Sequence, residues 1–401
     1  MSPQTDRCIG CHASVDTLVD FGEQPPSNRF TRSGDSESDC HRLAIGQCSV
    51  CALVQLIDPM PVEMVRSRFA WLRYNEPEGH LDALTQRLVQ LPGLNRDCAV
   101  AGLTYKDEST LERLRQHGYA HITQVDPVAD LGIEDRTAGL ETIQAALREE
   151  CGRRIGRNRG KVDLLIARHV LEHAHDPQAF LAGVACLVKP GGYAVFEMPD
   201  ATQFLDARDY AFVWEEHIAY FTADTLRTLL TRNGWEEIEI ATYPYVLENS
   251  LVAIVRLGEP SARMPASGME AEIARGQAFA KSFPARKQRY RERLSGLKAA
   301  GKRIALFGAG HLSAKFLNLF AVGDLVECVI DDNPHKQTLL MPGSRLPIRS
   351  SSVLGEQHID LCLLCLSPES EAKVLAARQS YIRDGGEFRS IFSRSPLALE
   401  V

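Results

Sequence analysis

Four cysteines near the N-terminus form two Cys-x-x-Cys pairs, Cys8/Cys11 and Cys48/Cys51. Each pair can present two thiolates from one tight turn, and two such turns close a four-sulfur cage suited to Zn2+. Such a cage has no open ligand position, so the zinc is expected to be structural; a pair of disulfides is the alternative. A second constellation is Trp214-Glu215-Glu216-His217-Ile218-Ala219-Tyr220-Phe221. Imidazole titrates near neutrality, and a neighbouring carboxylate raises its pKa and fixes its tautomer, so His217 beside Glu216 reads as a general base. A solvated helix start is the bland alternative. A third is Gly308-x-Gly310-x-x-x-Ala314, which follows an apolar strand, opens a helix and precedes a strand ending in Asp331. Backbone amides at a helix N-terminus favour phosphate, so this lobe is expected to take a nucleotide, with NAD(P) as one option and an empty structural lobe as another. Lys336 and Arg345 lie just beyond it and could hold a diphosphate. His80 closes the polar loop Arg73–His80, a candidate ligand loop at a domain junction. Cys362 and Cys365 form one more Cys-x-x-Cys, but inside an apolar strand pattern, and are expected in the core.

These residues sit in a chain of 401 residues, long enough for two or three domains, with a formal charge of −7 and 44% apolar residues. The charge excludes a general basic surface for nucleic acid. No apolar run is long enough to span a membrane, and the polar N-terminus lacks a signal-peptide core, so no membrane association is expected. Eleven cysteines, mostly dispersed, fit a reduced cytoplasmic protein. Residues 1–75 read as a cysteine-anchored module. From 76 to 258 strands and helices alternate: a helix over 78–91, strands CAVAGL and HITQVD around a helix at 109–117, the buried strand VDLLIARHVL, the helix AFLAGVACLV, the strand PGGYAVFEMP, a helix from Thr222 and a last strand SLVAIVRL. Residues 259–300 form a helical linker, with a break expected at Pro284. A second α/β unit fills 301–401. The fold class is α/β: a zinc-binding N-terminal module followed by two Rossmann-like α/β domains joined by a helical linker.

The segment His169-Val170-Leu171-Glu172-His173-Ala174-His175-Asp176-Pro177, followed by Leu187-Val188-Lys189-Pro190-Gly191-Gly192, resembles S-adenosylmethionine-dependent methyltransferases of the Rossmann-like class. That resemblance lays the cofactor across the carboxyl ends of the strands, against Gly102 and Asp107 of the first turn and against His169, Glu172 and His173. Asp126, about 20 residues on at the end of the next strand, is placed to accept the ribose hydroxyls. The turn itself reads Gly102-Leu103-Thr104-Tyr105-Lys106-Asp107-Glu108, poor in the glycines that such a turn should carry.

The order of parts resembles one family, the three-domain sugar C-methyltransferases that modify nucleotide-linked ketodeoxysugars. The N-terminal match runs through Cys8-x-x-Cys11, Phe21-Gly22-Glu23-Gln24-Pro25-Pro26-Ser27-Asn28-Arg29-Phe30 and Cys48-Ser49-Val50-Cys51-Ala52-Leu53-Val54-Gln55-Leu56. Asp331-Asp332-Asn333-Pro334-His335-Lys336-Gln337 and Pro342-Gly343-Ser344-Arg345-Leu346-Pro347-Ile348 extend it to the C-terminal unit. The resemblance implies that His217 removes a proton α to a ketone, with Glu216 and Tyr220 in the same catalytic stretch. It also implies that Asn28, His80, Glu248, Asn249, Gly308, Gly310, Asp331, Lys336 and Arg345 contact a nucleotide-linked substrate. The chain departs from the family in the first turn, in Trp214 where the family has tyrosine, in Leu247-Glu248-Asn249-Ser250-Leu251, and in the lysine missing from the Gly308 turn. The expected activity is S-adenosylmethionine-dependent C-methylation next to a carbonyl. The rivals are isomerisation or NAD(P)-linked redox on the same scaffold, and a zinc-stabilised binding protein without catalysis.

Overall fold

The computed structural model describes residues 7–36, 39–66, 68, 69, 76–135, 139–259 and 268–400. The first three residues of the Arg73–His80 loop and linker residues 260–267 lie outside these. The chain divides into two compact units, one of residues 1–17, 45–202 and 216–274 and one of residues 18–44, 203–215 and 275–401. The stretch 1–75 is therefore shared: its cysteine turns belong to the first unit, and residues 18–44 belong to the second.

In chain order the first unit takes the start of β1 (Val15–Gln24), the end of β2 (His41–Cys48) and β3 (Val54–Leu56). It continues with α1 (Leu81–Leu88), β4 (Ala99–Gly102), α2 (Glu108–Gln116), β5 (His121–Gln124), α3 (Glu149–Arg159), β6 (Val162–Arg168), α4 (Pro177–Leu187) and β7 (Val188–Pro199). Strand β8 (Ala219–Tyr220), α5 (Ala223–Arg232), β9 (Trp235–Tyr243) and β10 (Ser250–Leu257) complete it. Its main sheet has the order β9-β10-β7-β6-β4-β5. The four strands from β7 to β5 run parallel, and β9 and β10 close the other edge antiparallel. The expected alternation is present, with one addition. Strand β9, WEEIEIATY, was not anticipated, because its acids face solvent at a sheet edge and leave little apolar signal.

Period-3.6 leucines build α1: Leu81, Leu84 and Leu88 are buried, as is Leu91 beyond its end. Thr222 caps α5, its hydroxyl accepting from the Thr225 amide. Asp176 caps α4 in the same way through the Ala179 amide, with Pro177 at the first helical position. One face of the sheet packs with the cysteine turns in a single cluster that includes Cys8, Cys48, Cys51 and Leu53 beside Phe196, Phe221 and Trp235.

A long helix, α6 (Met269–Ala299), leads into the second unit and passes through Pro284 without a break. The expected interruption is absent because buried aromatic residues hold the helix on both sides of the proline: Phe279 packs on Tyr210, Phe283 on Phe320 and Tyr290 on Phe316. The second unit has β11 (Ile304–Phe307), α7 (His311–Leu319), β12 (Cys328–Ile330), β13 (Ile348–Arg349), β14 (Leu361–Leu364), α8 (Pro368–Ala377) and β15 (Glu387–Ser390). Its sheet, β13-β12-β11-β14-β15, is parallel throughout. Cys362 and Cys365 are both buried, as the strand pattern required.

Candidate active site

The cysteine turns meet as their spacing demands. Cys8 Sγ lies 3.4 Å from Cys51 Sγ, and Cys11 Sγ lies 3.4 Å from Cys48 Sγ. All four sulfurs fall within 4.8 Å of one another, and the cysteines are free thiols. Tetrahedral Zn–S bonds of about 2.3 Å place sulfurs about 3.8 Å apart, so the cage fits zinc with little adjustment. Mutual hydrogen bonding splits the thiols: contact with Cys48 pushes Cys8 up to about 12 and Cys51 far above its ordinary value, while the same contacts push Cys48 far down. A cation in the cage removes that conflict.

From the second cysteine turn the chain enters β3, which pairs with β8 through Val54 against Tyr220 and Gln55 against Ala219. The Leu56 amide donates to the Ile218 carbonyl (2.9 Å), and the Ile218 amide donates to the Glu172 carbonyl (2.7 Å). His217 is thus clamped between the strand leaving the zinc cage and the turn Leu171–His173. Its ring stands edge-on to His173 with centroids 5.0 Å apart, and Tyr220 is 6.4 Å away. Burial lowers the pKa of His173 and keeps it neutral.

The carboxyl ends of β4, β6 and β7 carry a buried polar network. Arg168 meets Glu197 with two prongs, Nε to Oε2 at 2.6 Å and Nη2 to Oε1 at 3.2 Å. His169 Nε2 and His80 Nε2 each lie 3.2 Å from Glu197 Oε1. Burial opposes ionisation of Glu197, but His169, His80 and Arg168 outweigh it and hold the carboxyl well below the usual range. Burial likewise opposes the charge on His169, yet Glu172 and Glu197 carry it up to about 10. His169 adopts a left-handed φ of 51°, an unusual conformation for a non-glycine residue at a strand end. His80 also bonds through Nδ1 to the Tyr245 hydroxyl (2.9 Å) and packs on Tyr243. Glu248 is pushed up to about 8 by burial, with His169 opposing the rise and Glu76, Glu172 and Asp200 adding to it. Asn249 joins the same edge by receiving the Asp200 amide (2.9 Å).

The glycine-poor turn after β4 is closed by a carboxylate. Asp107 Oδ2 accepts from the amides of Leu103 (2.7 Å) and Thr104 (2.6 Å), and Oδ1 accepts from the Arg168 amide (2.8 Å). Burial carries this carboxyl up to about 7 against those three donors. A Cβ on Gly102 would approach Leu111 Cδ1 to 2.8 Å and Asp107 Cβ to 3.0 Å. The glycine makes room for the helix and for Asp107. Asp126 stays exposed at the end of β5, its Oδ1 accepting the Val128 and Ala129 amides.

The remaining expected residues lie in the second unit. Gly308 has φ +101°, and a Cβ there would strike Leu366 at 2.5 Å, so the turn needs glycine. Asp331 is not left open: its Oδ2 receives the Ala309 amide (3.0 Å) and Lys336 Nζ (2.9 Å), and Oδ1 receives the Asn333 amide. Lys336 also donates to the Ala309 carbonyl (2.6 Å). The acid that would read a nicotinamide-cofactor ribose is therefore tied to the glycine turn. Arg345 lies elsewhere, donating to the Asp35 carbonyl and lining a cavity of about 370 Å3 with Gln24, Asn318 and Gly343. Asn28 is buried.

Reasoning from sequence missed three features. One is the Arg168–Glu197 pair, signalled only by charges at the ends of two apolar strands. Another is Lys315, almost fully buried, whose Nζ is 2.5 Å from the buried Glu215. Glu215 also receives the amide and hydroxyl of Ser27. The third is the stack of Trp214 on His311, centroids 4.2 Å apart and nearly parallel.

Three family models match the chain in order: a zinc binding domain over residues 8–64, a methyltransferase domain over 101–240 and a C-methyltransferase C-terminal domain over 265–392. The C-methyltransferase NovU of Streptomyces niveus is 26% identical over 403 residues, covering 96% of this chain and 94% of that one. Among solved structures, a Burkholderia thailandensis 1,6-didemethyltoxoflavin-N1-methyltransferase aligns with 45% of this chain and 78% of its own at 13% identity and TM-score 0.31. The magnesium protoporphyrin IX methyltransferase of Synechocystis aligns with 44% and 77% at 16% identity and TM-score 0.30. The protein is a methyltransferase with a structural zinc cage. All three models lie in sequence along the chain, and the C-methyltransferase relative matches it over nearly its full length.

Proposed function

We propose that the protein moves a methyl group from S-adenosylmethionine to a carbon next to the carbonyl of a nucleotide-linked, sugar-like substrate, with His217 as the base. The observation that carries this reading is the clamped position of His217 beside the neutral His173, at the strand ends where a cofactor of this fold would lie. The donor set there suits the cofactor: Asp126 is exposed at the end of β5 for ribose hydroxyls, and the acidic side chains of Glu76 and Glu172 lie near the same strand ends. When bound, S-adenosylmethionine supplies an electrophilic methyl carbon.

His217 accepts the α-proton, and the C–H electron pair becomes the enolate that forms the new C–C bond. Tyr220 is the nearby phenol that can donate to the enolate oxygen. The rigid β3–β8 pairing fixes the angle at which His217 meets the carbon, which is where orientation contributes most.

The test is an incubation of zinc-loaded protein with S-adenosylmethionine and a panel of nucleotide-linked keto sugars in deuterated water. Expected are S-adenosylhomocysteine, a carbon-bound methyl group, and deuterium at the α-carbon when the donor is withheld. His217→Gln should abolish both exchange and transfer. Exchange that persists at the native rate in His217→Gln would remove the base assignment. Turnover that leaves the methyl on oxygen or nitrogen would remove C-methylation.

A further inference from the structure

Glu172, His173 and His217 each bring a ligand atom to within 4.8 Å of the other two, apart from the cysteine cage. Two of the three have bonding capacity that the protein leaves unused. Both oxygens of Glu172 are buried without a hydrogen bond, and the residue is only 2% exposed. Oε1 faces His169 Nδ1 at 3.6 Å, an ion pair without a hydrogen bond. His173, 7% exposed, has a buried Nδ1 with no partner. Its ring bonds to the Glu216 backbone, which leaves Nδ1 as the free nitrogen. A histidine with one nitrogen fixed by a main-chain carbonyl and the other bare is the arrangement that metal-ligating histidines adopt. The backbone is fixed as well, because the Ile218 amide donates to the Glu172 carbonyl and joins the two ligand-bearing segments.

We propose that Glu172, His173 and His217 form a second metal site, binding a divalent transition cation such as Zn2+ through two imidazoles and one carboxylate. Bonds of about 2.1 Å put tetrahedral ligand atoms about 3.4 Å apart, so the side chains close on the ion by about 1 Å. Three protein ligands leave at least one position for water. The donor set of two nitrogens and one oxygen favours zinc, cobalt or nickel over magnesium or calcium. The cysteine cage and this site are different in kind, the first closed and all-sulfur, the second open and without sulfur.

The inference shares His217 with the proposed reaction and makes a demand on it. Metal and proton compete for the same ring nitrogen. An ion at this site withdraws the base, so the free cation inhibits methyl transfer.

The experiment begins with full-length protein holding one equivalent of zinc in the cysteine cage. Cobalt(II) is then titrated in, and binding is followed by equilibrium dialysis and visible spectroscopy. A second equivalent is expected, with weak visible bands and none of the sulfur-to-cobalt charge transfer that marks the cage. His173→Gln and Glu172→Gln should each weaken this second equivalent by at least tenfold, and His121→Gln, at an exposed histidine, should leave it unchanged. A native stoichiometry of one overturns the proposal, as does a second equivalent that survives both ligand substitutions. Because the readout is metal binding and needs no substrate, failure of the methyl-transfer reading and failure of the site are seen separately.

Discussion

Lys315 and Glu215 make the sharpest energetic prediction. Both are essentially without solvent contact, and Nζ sits 2.5 Å from Oε2. Glu215 is held further by the Ser27 amide and by the Ser27 hydroxyl at 3.2 Å. Removing one partner from such a pair leaves an uncompensated charge in a low-dielectric interior, which costs about 3–5 kcal/mol. Lys315→Met keeps the aliphatic stem and removes only the ammonium, so its effect isolates that penalty. Glu215→Gln retains an oxygen for the Ser27 amide and strands the lysine instead. The double variant removes both charges and should lose only about 1–2 kcal/mol, because the pair's desolvation vanishes with it. The coupling energy should then be at least about 2 kcal/mol. Hydrogen exchange read by mass spectrometry across β11 and α7 confines the measurement to the second unit. Lys315→Met should raise opening there by roughly 10²–10⁴-fold. Effects of the two single substitutions that simply add, or a Lys315→Met loss below about 1 kcal/mol, would refute the buried-pair argument.

Two further outcomes are expected. Burial, with the charges of Lys315 and Lys336, holds His311 down at about 3. Its unfolded form takes a proton below about 6.5, so stability is complete above that pH and falls by about 1.4 kcal/mol per unit between 6.5 and 3. His311→Asn should flatten that slope in acid unfolding followed by tryptophan fluorescence, and an unchanged slope would count against the buried neutral ring. Gly102→Ala should cost about 1–3 kcal/mol through the approaches to Leu111 and Asp107, read as a lowered midpoint in urea; a loss under about 0.5 kcal/mol would show that the turn can yield.

Much of this was legible because the signals were local. Cys8, Cys11, Cys48 and Cys51 announced their cage through spacing alone. The leucines of α1, the cap at Thr222 and the apolar run of β6 announced their elements through period and end residues. The network around Glu197 was not legible, since Arg168, His169, His80 and Glu197 come from separate segments and each reads alone as a charge at the end of an element. The turn after β4 looked defective for want of glycines, because a carboxylate at the position just before the next helix cannot be read as a turn-closing acceptor without its geometry. Pro284 misled for the opposite reason: a local rule about helix breaking yielded to the packing of Phe279, Phe283 and Tyr290. The lysine that the Gly308 turn lacks has no replacement in that turn, yet Lys315 stands one helical turn on, hidden in an apolar helix.

The hydrogen bonds from β3 to the His217 segment have a consequence for anyone recombining such enzymes. The first 75 residues look like a detachable cassette, and a chimaera cut at that point would seem conservative. The graft would in fact replace the strand that seats the His217 segment, since Leu56 donates to Ile218 and Val54 pairs with Tyr220. Donor modules should therefore be exchanged together with the stretch around residues 216–222, two segments far apart in the chain that behave as one inheritable part.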